Sequence, residues 1–415
     1  MKKILAPSLA SIFLFVCSSN VVLADYMTCD NDPPSSDTYC QGSAGENWEK
    51  YTNKPSSFNS DHRFYKGGQT FNRSRYNWTV FPLGGNSTGE YSVGFYLNSA
   101  SFTGNANYYI EGMNIGGLDQ NTAPVGWNNF PYKTHPWSNG KQAHVAVEPL
   151  SINSSVGADG VRVYYSTNTI VSTQENTVES ENLKLDAASI KEKMLNAIDY
   201  YNYVRGSFLY DFSNSNQKYT IDFEVDQSKN LGSNIVLKDS STKENLFRVT
   251  SSSNEIIQVD EKNKKYSKSS KTAERTKILA PRISKDKGPD GEEANQYMYR
   301  NDPANASAAS TVTFPQTIAF WLDDELKNYK ITGQEDLLNR KATVIEGKLS
   351  KELSEKLLST SFKLWVDTET GILLKLNTFN VDGVVINKIV VNDISFDYKK
   401  TIFDTSNNKG YVPQQ

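Results

Sequence analysis

The chain has 415 residues, a length that suggests two or three domains, with 37% hydrophobic and 22% charged residues and 23 Tyr, 19 Phe and 6 Trp, a balance that leans towards β structure. The formal net charge is −3. Loss of Lys2 and Lys3 with a leader takes it to −5 (−3 − 2), so nucleic acid is not indicated as a partner. Beyond the N-terminus no apolar run approaches the roughly 20 residues that cross a bilayer, and the mature chain reads as soluble or peripherally held.

Met1-Lys-Lys, an apolar run to Val16 and Val22-Leu-Ala24 have the three parts of a secretory signal, so we expect residues 1–24 to be a signal peptide, cleavage after Ala24, and a cell-surface, periplasmic or secreted protein. Cys17 in Leu14-Phe-Val-Cys-Ser offers a competing reading as a lipidated cysteine, against which stands the bulk of Val16. Cys29 and Cys40 then remain, an even pair in an oxidising compartment. They are expected to form a disulfide closing the Pro33-Pro34 loop of a segment 25–45. Zinc is disfavoured, since none of the three histidines stands at ligand spacing from a cysteine.

From 46 to 168 short apolar runs alternate with Gly, Asn and Ser. Strands are expected at Asn77–Phe81, Glu90–Leu97, Asn107–Glu111, His144–Glu148 and Gly160–Tyr165, spaced as in a β-sandwich or jelly roll. His62, His135 and His144 lie here without a nucleophile motif such as G-x-S-x-G, so no catalytic triad is indicated. Asp159-Gly160 reads as a turn before it reads as a calcium ligand. Trp78, Trp127, Tyr132 and Trp137, two of them near Pro124, Pro131 and Pro136, have two readings: a sugar-stacking face on a stiff loop, or core packing. Trp78, Tyr91-Ser-Val-Gly-Phe-Tyr96 and Ala158-Asp-Gly-Val-Arg-Val163 resemble the golvesin or xanthan-lyase type of accessory domain over residues 46–166. That resemblance implies an extracellular sandwich attached to a polysaccharide-acting or surface protein.

Residues 169–186 are polar and aperiodic, as in a linker. Asp186 is placed to cap a helix from Ala187 to Val204, with Ile190, Met194, Ile198 and Tyr201 on one face and Gly206 as its stop. That face either packs a core or lines a ligand. Strands follow at Tyr219–Val225, Ile235–Lys238, Leu246–Ser251 and Glu255–Asp260. Glu261 to Thr311 breaks the pattern with many lysines from Lys262 to Lys287, and reads as an exposed polar excursion or as a peripheral contact with anionic lipid. Pro315 opens a short helix to about Leu326. Asp323 and Asp324, adjacent on it, point apart and suit solvation better than acid–base work.

The last third is the most regular. Ile331 to Glu346 leads to a helical insert at Ser350–Leu358, then to strands Ser361–Asp367, Ile372–Phe379 and Val384–Phe396, joined by Asp367-Thr-Glu-Thr-Gly371 and by a two-residue turn at Asp382-Gly383. The later strands are apolar on both faces, which requires a cover on each side. Ile331-Thr-Gly-Gln-Glu, Arg340-Lys-Ala-Thr-Val-Ile-Glu346, Lys363-Leu-Trp-Val-Asp367 and Gly371-Ile-Leu-Leu-Lys375 resemble the LolA-like outer-membrane lipoprotein carrier and sorting superfamily over residues 187–404. The resemblance implies, over 187–415, an α+β curved antiparallel half-barrel with a helical lid over a hollow for acyl chains; together with the sandwich read from strand spacing, the chain is expected to be mainly β with two domains. Candidate wall residues are Ile198, Tyr201, Phe223, Phe247, Trp321, Leu357, Trp365 and Leu374. The expected partner is a lipid, acyl chain or lipoprotein, with no cofactor and no catalysis. The alternative is a glycan-binding surface protein that uses the sandwich on cell-wall or extracellular polysaccharide, with the C-terminal sheet as scaffold.

Overall fold

The computed structural model describes residues 26–33, 39–54, 57–66, 74–81, 89–98, 101–135, 142–150, 155–166, 187–215, 217–228, 230–271, 281–288, 291–322, 328–399 and 401–414. The expected signal peptide, Cys17, Trp137, the linker 169–186, Asp323 and Asp324 lie outside these residues.

Strands β1 (Tyr26–Cys29), β2 (Cys40–Ala44), β3 (Trp48–Thr52), β4 (Asp61–Tyr65), β5 (Tyr76–Val80), β6 (Gly89–Leu97), β7 (Asn105–Ile110), β8 (Met113–Asp119), β9 (Gly126–His135), β10 (Ala143–Pro149), β11 (Val156–Ala158) and β12 (Val161–Ser166) make up the N-terminal unit. Its two main sheets run β1-β12-β6-β9 and β2-β5-β10-β7-β8, with β11-β4-β3 as a smaller third. All five expected strands are present, within two residues at each end. The segment 25–45 is no separate appendage, because β1 pairs with β12 and β2 with β5. The expected Cys29–Cys40 disulfide is formed, and it ties one sheet to the other.

The proline-flanked stretch, for which a stiff exposed loop was one of two readings, is strand β9, between β6 and a later strand. Proline is tolerated there because the register with β6 shifts between Tyr91–Lys133 and Val93–Phe130. Pro131 thus falls in a bulge, where no ladder N–H is required of it.

The second unit comprises α1 (Ala187–Leu195), β13 (Tyr203–Phe212), β14 (Gln217–Asp226), β15 (Gly232–Asp239), β16 (Asn245–Ser251), β17 (Glu255–Asp260), β18 (Lys265–Ser270), β19 (Ile283–Lys287), β20 (Glu293–Met298), α2 (Ser310–Thr313), α3 (Gln316–Ala319), β21 (Tyr329–Leu337), β22 (Arg340–Lys348), α4 (Lys351–Leu357), β23 (Ser361–Asp367), β24 (Leu373–Phe379), β25 (Val385–Ser395) and β26 (Val412–Pro413). Twelve of these strands form one sheet, ordered β21-β22-β23-β24-β25-β13-β14-β15-β16-β17-β18-β26, which curls into a half-barrel. The molecule is mainly β, as expected.

Three local expectations are corrected. The helix beginning at Ala187 stops at Leu195, and β13 starts at Tyr203. Gly206 therefore lies inside a strand, where a Cβ would sit 2.2 Å from the Asp393 carbonyl oxygen. Close backbone approach, not helix termination, explains that glycine. The Pro315 helix is replaced by α2 and α3, four residues each, with Pro315 between them. The Asp382-Gly383 turn belongs to a five-residue connection, 380–384, closed by Asn380, whose Oδ1 accepts from the Asp382 and Val384 amides at 3.0 and 2.9 Å.

The larger correction concerns the basic excursion. Strand β18 extends the half-barrel sheet, while the β19–β20 hairpin leaves its own unit and joins the sandwich, β20 running parallel to β9. Arg162 of β12 donates to Asp286 at 2.9 Å, and Trp127 Nε1 donates to the Lys287 carbonyl at 3.2 Å. Lys271 and Arg282 are buried, and Lys285 pairs with Glu293 at 3.1 Å. Among the described cations of this run, Lys271 and Arg282 bond the Pro303 and Met298 carbonyls within the second unit, Lys264 and Lys268 pair with Glu261 and Glu255, and Lys262 and Lys287 are exposed.

Candidate functional site

Strand alternation assigns the two faces of the half-barrel. Opposed residues in an antiparallel pair share a face, so the ladder links Ile345, Leu364, Leu376, Ile389, Tyr210, Tyr219 and, two residues along, Phe208, Ile221, Leu237, Phe247 into continuous rows. The inner face so defined is apolar across eight strands, and most of its side chains are less than 5% exposed. Its outer counterpart carries Glu346, Lys363, Lys375, Lys388, Asp211, Asp222 and Glu224.

Phe223, Phe247 and Leu374 fall on the inner face, as expected of wall residues. Ile198 and Tyr201 follow α1, Leu357 ends α4, and Trp321 follows α3; all four are buried in the same core. Trp365 is a correction. It lies opposite Val344 and Lys375 on the outer face, its Nε1 donates to Glu335 at 2.7 Å, and the ammonium groups of Lys363 and Lys375 lie 5.1 and 4.4 Å from its ring centre. The period of two in Phe362-Lys-Leu-Trp-Val366 already separates Trp365 from Leu364.

A roof covers the inner face. Residues 304–322 run across it as a turn at 307–309, then α2 and α3, burying Ala304, Ala306, Ala308, Ala309, Val312 and Ile318. The turn contacts β14 and β15, α2 contacts β24, and α1 packs on α3. Alanines let this segment approach the sheet closely.

The sandwich supplies the remaining cover, a contribution that sequence reasoning missed. The loop after β8, Asp119-Gln-Asn-Thr-Ala-Pro124, reaches the inner face. Tyr210 OH donates to Asp119 Oδ2 at 2.9 Å, Asn214 Nδ2 to Asn121 Oδ1 at 2.7 Å, and Trp321 Nε1 to the Thr122 carbonyl at 2.9 Å. Lys356 Nζ donates to the carbonyls of Gln120 and Ala123 at 2.9 and 3.3 Å. Asp119 through Ala123 are 6% exposed or less, and Lys356 is 2% exposed. Burial draws the Lys356 ammonium down to about 8, opposed by the nearby Asp119 charge; burial raises the Asp119 carboxyl, opposed by the Tyr210 hydroxyl and the Asn121 amide. One signal was legible: Leu353, Lys356 and Leu357 share a helix face, so a lysine stood in an apolar stripe.

Between β8 and the roof lies a cavity of ≈ 50 Å³, lined by Gly116, Asn301, Ser307 and Phe314 among others, room for a few waters. Clefts of ≈ 490 and ≈ 640 Å³ are lined largely by outer-face residues, Arg205, Asp222 and Glu224 in one, Lys330, Glu346 and Lys363 in the other. Among the described residues, the inner face is covered by the roof and by the sandwich loop.

In the sandwich, Trp78 and Trp127 are 1% and 0% exposed. Trp78 packs on Tyr76 and Phe95, and Trp127 lies 3.9 Å beneath the Arg162 guanidinium. Neither ring offers a face to a sugar, so their sugar-stacking reading is corrected to packing. The side chain of Tyr132, like Trp137, lies outside the described residues. His62 stacks on Tyr51, accepts or donates at Ser57 Oγ across 2.8 Å, and is drawn down to about 4 by burial, which leaves it neutral and structural. Asp159, between β11 and β12, accepts from the distant Phe58 amide at 2.9 Å, a bond across the sandwich and not within the turn expected at Asp159-Gly160. Asp30, Asp32 and Asp61 bring carboxylate oxygens together, and Lys50 bonds both Asp32 and Asp61.

No protein-family model matches the sequence, and neither does any curated protein. Solved structures that superpose on part of it include the MucA/MucB complex of Pseudomonas aeruginosa (13% identity, TM-score 0.29, 50% of this chain and 56% of that one). Lipoprotein LppX of Mycobacterium tuberculosis (12%, 0.27, 52% and 98%) and a putative outer membrane lipoprotein-sorting protein domain from Vibrio parahaemolyticus (8%, 0.21, 54% and 97%) are similar in the same limited sense. None of them shows a golvesin-type domain. At such TM-scores these likenesses carry no weight for function, which has to be read from the chain's own geometry.

Proposed function

We propose that this is an exported, non-catalytic binding protein whose half-barrel takes an acyl chain, lipid or lipoprotein against its inner face after the roof is displaced. The observation that carries the reading is the mismatch between that face and its cover. An apolar surface eight strands wide is roofed by a segment whose two helices are four residues long. Helices so short have no stability of their own in water and persist only by packing, the kind of element that opens locally. A fatty chain replacing the roof would regain about 0.8 kcal/mol per buried methylene.

Native mass spectrometry of protein purified from a secreting bacterial host tests this reading. Retained lipid masses, removed by delipidation and restored on adding fatty acid, are the expected result; a ligand-free protein that takes up none refutes it. A second reading is favoured by the covered inner face: a rigid scaffold that presents the sandwich to cell-wall or extracellular glycan. Glycan-array binding by the intact protein, with no lipid retained, would select it.

A further inference from the structure

We propose that the sandwich is the stopper of the half-barrel, and that ligand enters when the loop 119–124 and the root of the roof are withdrawn together. This rests on the lipid-binding reading and adds how its site is regulated. Two independent sets of contacts carry it.

The first is the loop itself. It is held rigidly on its own side, because the Gln120 amide donates to Tyr108 OH and the Gly157 carbonyl at 2.8 and 2.9 Å and accepts from the Gly157 amide at 2.8 Å. On the far side it meets β13, the turn after it, the roof and α4 through Tyr210, Asn214, Trp321 and Lys356. A loop clamped at both ends moves with the sandwich or not at all.

The second is the β19–β20 hairpin. Strand β20 pairs with β9 of the sandwich, the Tyr299 amide donates to the Asn129 carbonyl at 2.9 Å, and Tyr299 OH donates to Asn128 Oδ1 at 3.0 Å. Residues 300–306 lead from there into the roof and are held to the half-barrel as well, Arg300 by Asp199 at 2.6 Å, Asp302 by Gln227 at 2.7 Å and the Asn305 carbonyl by Ser233 Oγ at 2.7 Å. The root of the roof is therefore tied to both units, and a shift of the sandwich bears on loop and roof root alike.

The contacts across the joint join these hydrogen bonds to aromatic packing, Phe130 on Tyr299 with ring centres 5.9 Å apart, within one continuous apolar core.

To test it, the double variant Asn121→Cys/Asn214→Cys, whose side chains are bonded across the joint in the native protein, is bridged with a one-carbon bis-methanethiosulfonate, and uptake of cis-parinaric acid by the full-length protein is followed by fluorescence. Single-cysteine variants treated identically control for modification, and circular dichroism checks the fold. The expected result is uptake by the wild type and by both treated single variants, with loss of uptake only in the bridged protein. Undiminished uptake by the bridged protein overturns the stopper while leaving the lipid-binding reading intact. Absence of uptake by the wild type after delipidation removes the lipid-binding reading and the stopper with it.

Discussion

Lys356 gives the joint between the two units a measurable pH signature. Its ammonium is buried, and burial lowers its value from 10.5 to about 8. Below pH 8 the group is protonated whether the chain is folded or not, and the native state carries the full cost of the buried charge. Between 8 and 10.5 the folded state has released the proton while the unfolded chain still holds it, so the unfolded state binds more protons and stability rises with pH. Integrating from pH 7 to pH 9.5 gives a gain of about 2 kcal/mol from this one group. Other groups titrate in the same window, so the comparison is with Lys356→Met, in which the increment vanishes. Urea unfolding followed by tryptophan fluorescence at the two pH values, for both proteins, reads the difference directly. Equal pH increments in the two would show that Lys356 titrates near its ordinary value in the folded protein, and the buried seat assigned to it under the loop would be wrong.

Removing the disulfide with Cys29→Ser/Cys40→Ser releases a loop of sequence separation 11, which in the chain-entropy treatment costs about 3 kcal/mol; a drop in the urea midpoint checks it, and an unchanged midpoint contradicts it. Trp127→Ala empties a fully buried site beneath Arg162 and is expected to cost about 3–5 kcal/mol, while leaving any glycan-array signal of the folded protein unchanged. Gly371 has φ +76, and a Cβ there would meet the Lys193 carbonyl carbon and oxygen at 2.4 Å. Gly371→Ala is therefore expected to destabilise by more than the ~1 kcal/mol of an ordinary left-handed position, with loosened α1 visible as faster amide exchange. Ser350 caps α4, its side chain accepting from the Leu353 amide, so Ser350→Ala costs about 1 kcal/mol. Thermal melts detect it.

The features legible in the sequence are those set by local physics. The meander from Ser361 to Ser395 was legible because its alternation is regular and its first turn is set by Gly371 at positive φ. The Ser350 cap and the Cys29–Cys40 pair were equally local. Strand β13 was not, since Tyr201-Asn-Tyr-Val204 continues a helical stripe and only the sheet's need for a partner between β25 and β14 decides the matter. Pro131 in β9 misled for a similar reason: a bulge, which only the neighbouring strand defines, removes the penalty. The site was half legible. Apolar residues on both faces of the terminal strands announced a cover, yet nothing local to Asp119–Pro124 or to β19–β20 says that each makes its contacts in the other unit.

That exchange of elements is the fact with most bearing on function. A half-barrel with its own contiguous lid opens at a hinge within one domain, and a second domain is then free to evolve separately. Here the roof begins at a strand of the sandwich sheet, and the sandwich ends a strand in the mouth of the half-barrel. Two covalently separate stretches, 119–124 and 283–306, therefore cross the same joint in opposite directions. Displacing either alone leaves the other holding the units together, so opening is concerted or absent. Shortening the hairpin turn cannot uncouple them, but Arg162→Ala can weaken one crossing, because its guanidinium holds both Asp286 and the Lys287 carbonyl, the latter at 3.1 Å. Amide exchange at 119–124 is the readout. A concerted joint predicts faster exchange there in Arg162→Ala, at a site this side chain does not touch, whereas exchange raised only along β19 and β20 would mean that the two crossings open independently.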